Sequence, residues 1–374
     1  MARLPESVVR SLDETKAEYR TLGRSGLRVS VPIVGCMSIG SPEWADWVIG
    51  PEKALPLLKA AYDRGVNTWD TANIYSNGDS ERVIAEAIRT YLIPRQKLVL
   101  MTKAWSCVGE EQFHAYPILE ELRKSKDYVN QFGLSRSALF TAVDDSLKRL
   151  ETEYIDLFWI HRFDPSTPIE ETMQALDDLI KSGKIRYIGA SSMWAFQFAM
   201  MQFCAEKNGW TKFIAMQNHY SLLYREEERE MNKFCNATGV AIVPVCLSVQ
   251  KQLLAANVSN QCQWGPLAQG QLARPLSVRG TTTRSTDGLG DPSTTRSEAV
   301  EIINRVESLA SQKGWTMSQV ALAWILKRTT SPIIGFSSID RIDESLSAIG
   351  KSLTVDEENY LEEVYTPLEI EGHF

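Results

Sequence analysis

Apolar runs of four to six residues alternate along this chain with amphipathic stretches of helical period. The runs at 31–36, 66–70, 97–102, 156–160, 185–190, 213–217, 240–244 and 332–335 read as strands. Between them, apolar residues recur with helical spacing over 52–64, 79–91, 135–150, 168–182, 194–207, 224–237, 298–313 and 338–349, with a further helix at 316–328 before the last strand. Near-continuous apolar runs belong to strands buried on both faces, and eight such strand–helix units in succession predict a closed parallel barrel rather than an open sheet. The punctuation agrees: Ser135 stands where a helix N-cap belongs, Thr167-Pro168 opens the next helix, and Gly183 and Gly239 close others. The expected fold is therefore a (β/α)8 TIM barrel with long loops at its C-terminal face. A polar peripheral segment over 1–20 precedes a single barrel domain over 21–374.

Three stretches break the rhythm. Residues 104–134, with Trp105, Phe113, Tyr116 and Phe132, separate a strand from its helix, and 270–297 is rich in Ser, Thr, Gly and Arg. Both follow strand ends, so both are expected to overhang the face where barrels place their chemistry. Residues 366–374 form a tail ending in His373-Phe374.

Strand ends supply the candidate chemistry. Gly65-Val-Asn-Thr-Trp-Asp70 ends on a carboxylate, with Tyr75 five residues on; Leu98-Val-Leu-Met-Thr-Lys103 ends on an amine; Tyr154-Ile-Asp-Leu-Phe-Trp-Ile-His161 ends on an imidazole. Asp70, Tyr75, Lys103 and His161 meeting at one mouth would make a proton-donating site. A phenol, with a pKa near ~10, is a poor acid at neutral pH unless a cation lies beside it; Lys103 would be that cation, with Asp70 keeping it charged and oriented. Asp156, inside a strand, reads as structural.

Composition narrows the partners. A net charge of −7 with no basic run argues against nucleic acid, and no stretch of about 18 apolar residues is present to span a membrane. The opening Met1-Ala-Arg-Leu-Pro-Glu has no apolar signal core, which points to a cytoplasmic protein. Six scattered cysteines without a Cys-x-x-Cys pair and only four histidines read as reduced thiols and no metal site. The pattern leaves the oligomeric state open.

The motifs together resemble the aldo-keto reductases from about residue 20 to 350. They are Gly35-Cys-Met-Ser-Ile-Gly40, the Asp70/Tyr75 segment through Gly78-Asp-Ser-Glu81, Lys103, His161-Arg162, Gly189-Ala-Ser-Ser192, Met216-Gln-Asn-His-Tyr220 and Trp264-Gly-Pro-Leu-Ala-Gln-Gly270. Ser221-Leu-Leu-Tyr-Arg-Glu-Glu-Glu-Arg-Glu230 is most similar to bacterial xylulose-type reductases and to fungal aryl-alcohol-dehydrogenase-like and versiconal hemiacetal acetate reductases. The resemblance implies an NADP-dependent oxidoreductase of secondary metabolism that reduces a small-molecule aldehyde or ketone. Tyr75 would be the proton donor and His161 would orient the carbonyl.

No Gly-x-Gly-x-x-Gly follows a strand, so a Rossmann domain is not expected; the family lays NADPH/NADP+ across the barrel mouth instead. Carried over by resemblance, Gly35, Met37 and Asp70 face the cofactor, and Ser191, Ser192 and Gln217 hold the nicotinamide amide. Ser192 stands where many members have Asn. Trp264 stacks on the nicotinamide ring, and Gly265, Pro266, Leu267, Gln269 and Gly270 wrap the pyrophosphate. Ser337, Ser338 and Arg341, at a helix N-terminus suited to anions, grip a 2′-phosphate, with Glu344 toward the adenine and Ser345 where the family usually has Asn. A nucleotide-binding regulatory subunit with little turnover is the alternative from another class.

One interruption departs from that pattern. Val243-Pro244 should continue at once into Trp264-Gly-Pro-Leu, yet Val245–Gln263, 19 residues with Lys251 as their single charge, intervene. Val245-Cys246 can be encoded by GTATGT, Ala256-Asn257 by GCTAAC and Gln263 by CAG. Those are the donor, branch and acceptor signals of a fungal intron. The expectation is an unspliced intron translated in frame, which would leave a barrel defective in cofactor binding.

Overall fold

The computed structural model describes residues 4–112, 118–245, 266–278 and 296–373. Eight parallel strands curl into the (β/α)8 barrel: β3 (Ile33–Gly35), β4 (Thr68–Asp70), β5 (Val99–Ala104), β6 (Ile155–Ile160), β7 (Ile185–Ser191), β8 (Ala215–Gln217), β9 (Ala241–Ile242) and β10 (Ile333–Ile334). Each pairs with its sequence neighbour, and β10 returns to β3. The Ile333 N–H donates to Pro244 O at 2.8 Å and the Thr330 N–H to Ile242 O at 2.9 Å, tying the two remaining edges together.

The strands are short because only their apolar centres need burial on both faces. Leu58, Trp69, Phe158, Leu176, Phe198 and Trp324 fill the layer between sheet and helices. A second cluster fills the barrel itself, with Ile33, Met101, Leu157, Trp159 and Val243, and rises to Met37, Trp47, Tyr75 and Phe132 at the mouth.

The expected first strand is divided at Pro32, which has no N–H for the ladder. Val31, the first residue of that expected strand, instead ends a separate strand, β2 (Arg28–Val31), which pairs antiparallel with β1 (Glu18–Thr21). Leu22 and Val29 of this hairpin join the barrel-filling cluster, so the hairpin plugs one end. Arg20 anchors it through Leu326 O, Thr329 O and Thr330 O. The helix Glu6–Glu14 before it buries no residue. Ser135 caps Arg136–Arg149 by accepting from the Ala138 N–H, and Gly183 and Gly239 end their helices at φ +80° and +74°. Helix Val355–Glu362, which the periodicity reading omits, is opened by a Thr354/Glu357 capping box.

Asp156 is structural: its carboxylate accepts from the Leu100 N–H at 2.9 Å and pairs with Arg95 and Arg186. Among the described residues Cys36, Cys107, Cys204 and Cys235 are free thiols, and no helix is long and apolar enough to cross a membrane.

Gly189 in β7 pairs with Trp159 in β6, which pairs with Lys103 in β5. A Cβ at Gly189 would fall 2.3 Å from the Trp159 ring. The ring is fully buried and cannot retreat. Gly189→Ala is expected to cost about 1–3 kcal/mol, read as a lowered urea midpoint, and to disturb the neighbouring Lys103; an unshifted midpoint would show that the barrel interior yields there.

Candidate active site

The barrel gathers three strand-end residues and the tyrosine of one turn at one mouth. Asp70 ends β4, Lys103 is the penultimate residue of β5 and His161 follows β6. Tyr75 opens a short 3-10 turn over Tyr75–Gly78. None of the four is more than 3% exposed. The Lys103 ammonium donates to Asp70 Oδ2 and, at 2.7 Å, to Thr71 O. Its Nζ lies 5.1 Å from the centroid of the Tyr75 ring, and the Tyr75 and His161 rings meet edge to face at 6.0 Å.

The turn that carries Tyr75 is held against its own preference. Ser76, Asn77 and Gly78 are consecutively left-handed, at φ +48°, +50° and +93°, a conformation that costs a non-glycine residue about 1–2 kcal/mol. The Asn77 amide compensates by accepting from the Gly109 N–H at 2.7 Å and donating to Gly109 O and Glu111 O. Gly40 lets the first loop approach, since a Cβ there would sit 2.2 Å from Ser76 Oγ. Glu81 of the family-like motif is an anchor: it accepts from Thr102, one residue before Lys103, and from Arg149.

Burial dominates the electrostatics. It pushes the Asp70 carboxyl above its usual range and the Lys103 ammonium below its own, while their mutual attraction opposes both shifts. Asp70 favours the charged form of Lys103, as expected of it, and does so against a desolvation that disfavours that charge. His161 lies well below its usual value, through burial and then the charges of Lys103 and Arg162. The imidazole is neutral at neutral pH.

The residues expected to hold a dinucleotide fall into two groups. Ser191 and Gln217 end β7 and β8, and the Ser191 hydroxyl donates to Gln217 O at 2.7 Å. Gln217 Nε2 donates to Asp70 Oδ1 at 3.3 Å, while its buried Oε1 has no hydrogen-bond partner among the described residues. Ser192 is left-handed, at φ +52°, with its N–H donating to Asn218 Oδ1 at 2.9 Å. Gly35 ends β3 and Met37 is buried beside Tyr75 in the mouth cluster.

The second group lines a cavity of about 850 Å³ that includes Pro266, Leu267, Gly270, Ser337 and Arg341. Ser338 precedes the helix Ile339–Leu346, whose last turn carries Glu344 and the buried Ser345, and Gln269 lies in the 3-10 turn Ala268–Ala273. Trp264, Gly265 and nearly all of the insertion lie outside the described residues.

Sequence reading missed two contributors. Arg274 lines the same cavity, and its guanidinium is pushed below its usual value by burial and then by the charge of Arg341. Its only signal is its place just after the Gln269-Gly270 motif. Trp44 and Trp47, in the loop after β3, meet edge to face at 6.0 Å. Trp47 both lines the cavity and packs in the cluster with Tyr75; two tryptophans in one short loop were the available signal.

Comparison with known proteins adds the following. A family model described as the aldo/keto reductase family matches residues 33–366. An aldo-keto reductase of Fusarium vanettenii is 52% identical over 380 positions, covering 100% of this chain and 98% of the relative. Versiconal hemiacetal acetate reductase of Aspergillus parasiticus is 45% identical, covering 94% of this chain and 97% of the relative. A putative aryl-alcohol dehydrogenase of Schizosaccharomyces pombe is 42% identical, covering 95% and 97%.

Proposed function

The chain belongs to the aldo/keto reductase family, and from that premise we propose that it reduces the carbonyl of a small aldehyde or ketone to an alcohol using NADPH, with Tyr75 as the proton donor. The observation that carries this reading is the convergence of Asp70, Tyr75, Lys103 and His161, from three different strand ends and one strained turn, in a buried mouth. When bound, the nicotinamide supplies hydride to the carbonyl carbon. The Tyr75 hydroxyl gives its proton to the carbonyl oxygen. Lys103, with its ammonium destabilised by burial, restores that proton and stabilises the phenolate, and Asp70 fixes its position. His161, being neutral, donates a hydrogen bond to the substrate oxygen without competing as the acid.

Two features support a fit to the dinucleotide. Gln217 Oε1 is a buried acceptor still wanting a donor, as a carboxamide N–H would be, with Ser191 and Ser192 beside it. Arg274 and Arg341 press like charges into one cavity, which an anion such as a 2′-phosphate would relieve. The aromatic wall of Trp44, Trp47, Tyr128 and Phe132 around Tyr75 favours an aryl or polyketide-like carbonyl. We place this chemistry in one proposed barrel domain over 21–374.

The arginine pair gives a direct test. Arg274→Ala and Arg341→Ala should each weaken NADPH binding by about 10-fold or more and leave NADH binding nearly unchanged. Equal losses for both cofactors, or none, would overturn the assignment of this cavity to the 2′-phosphate.

A further inference from the structure

The tail over 366–373, unassigned by sequence, lies against the active face and is tied to it from several sides. Arg162, next to His161, donates to Gly372 O at 2.9 Å. The Glu371 N–H donates to Tyr224 Oη at 2.9 Å, and the Leu368 N–H to Glu226 Oε1 at 2.8 Å. His219 stacks flat on Tyr224, with centroids 4.0 Å apart. The His373 side chain is 6% exposed, its ring meets Trp194 edge to face at 5.0 Å, and its Nε2 lies 3.0 Å from Glu227 Oε1.

Glu227 then leads inward. It is 3% exposed, and its other oxygen accepts from Asn218 Nδ2 at 2.7 Å. Asn218 uses its own carbonyl to hold the Ser192 N–H. Ser192 is left-handed, a conformation serine rarely adopts unaided. One line of polar groups thus runs from the close approach of His373 to Glu227, through the hydrogen bonds of Glu227 to Asn218 and of Asn218 to the Ser192 backbone, with Glu227, Asn218 and Ser192 buried.

We propose that the tail is a positioning element for the nicotinamide end of the cofactor, with His373 and Glu227 as positioning residues that hold the Ser192 turn through Asn218. This rests on the NADPH reading above. Docking of the tail and binding of the carboxamide are then one coupled equilibrium, each favouring the other. The adenosine end, held on a different wall by Arg274 and Arg341, is outside the coupling.

Two probes separate these ends: NADPH, and 2′-phosphoadenosine diphosphoribose, which keeps the phosphorylated adenosine half and lacks nicotinamide. In the full chain, His373→Ala should weaken NADPH binding by about tenfold and leave the diphosphoribose probe unchanged. His373→Gln, whose amide can still donate toward Glu227, should recover most of the loss. Glu227→Ala added to His373→Ala should cost little more, because both act through one chain. Unchanged NADPH affinity in His373→Ala overturns the proposal, as does equal weakening of both probes. Failure of the unaltered chain to bind either probe would instead overturn the dinucleotide reading, and the coupling with it.

Discussion

Tyr75→Phe should lower carbonyl reduction by about 10²–10⁴-fold and leave NADPH affinity at its original value. The substitution removes one oxygen and keeps the ring, which packs with Met37 and Trp47 in the mouth cluster. The fold and cofactor contacts have no reason to change. The loss is large because no neighbour can stand in as the acid. His161 is held neutral by burial and by the charges of Lys103 and Arg162. Lys103 donates to Asp70 and Thr71 O and lies 5.1 Å from the phenyl centroid, and in the proposed mechanism it acts through the phenol. A loss in kcat with little change in the cofactor's Kd marks an interaction made in the transition state. Single-turnover hydride transfer with an aryl aldehyde, alongside tryptophan-fluorescence titration with NADPH, reads both quantities. Unchanged turnover would refute Tyr75 as the acid.

The barrel and its three strand-end residues were legible because both follow from local pattern. An apolar run that ends in one ionisable residue must release that residue at a mouth, whichever helices surround it. That logic located Asp70, Lys103 and His161 to the residue. It could not locate contacts made by chain folding back on itself. Glu371 reaches Tyr224 across 147 residues, and no periodicity in the tail signals it. Arg274 gains meaning only beside Arg341, and the β1–β2 hairpin only where Leu22 and Val29 close the barrel. Burial opposes the charges of Asp70 and Lys103, and burial is a property of the packed mouth.

Removing Val245–Gln263 is expected to tighten NADPH binding by about tenfold or more, roughly 1.4 kcal/mol, and to raise turnover by about 10²-fold, the scale on which an ångström of misplacement acts at a reacting site. We propose that the segment is foreign to the function and is a retained intron. The barrel runs intact up to it: Pro244 O accepts from the Ile333 N–H at 2.8 Å. Beyond it, Pro266 and Leu267 already line the cavity with Arg274 and Arg341. Joining Pro244 to Trp264 restores a family-like junction between two walls that each have a place without the insertion. It would also bring Trp264 directly after the strand end from which it is expected to reach the nicotinamide. The genomic codons test the origin separately: GTATGT, GCTAAC and CAG at the three junctions are required, and other codons there sink the intron. Equal NADPH binding by the shortened and unshortened chains would make the segment a tolerated loop, and tighter binding by the unshortened chain would make it a working part of the cofactor site.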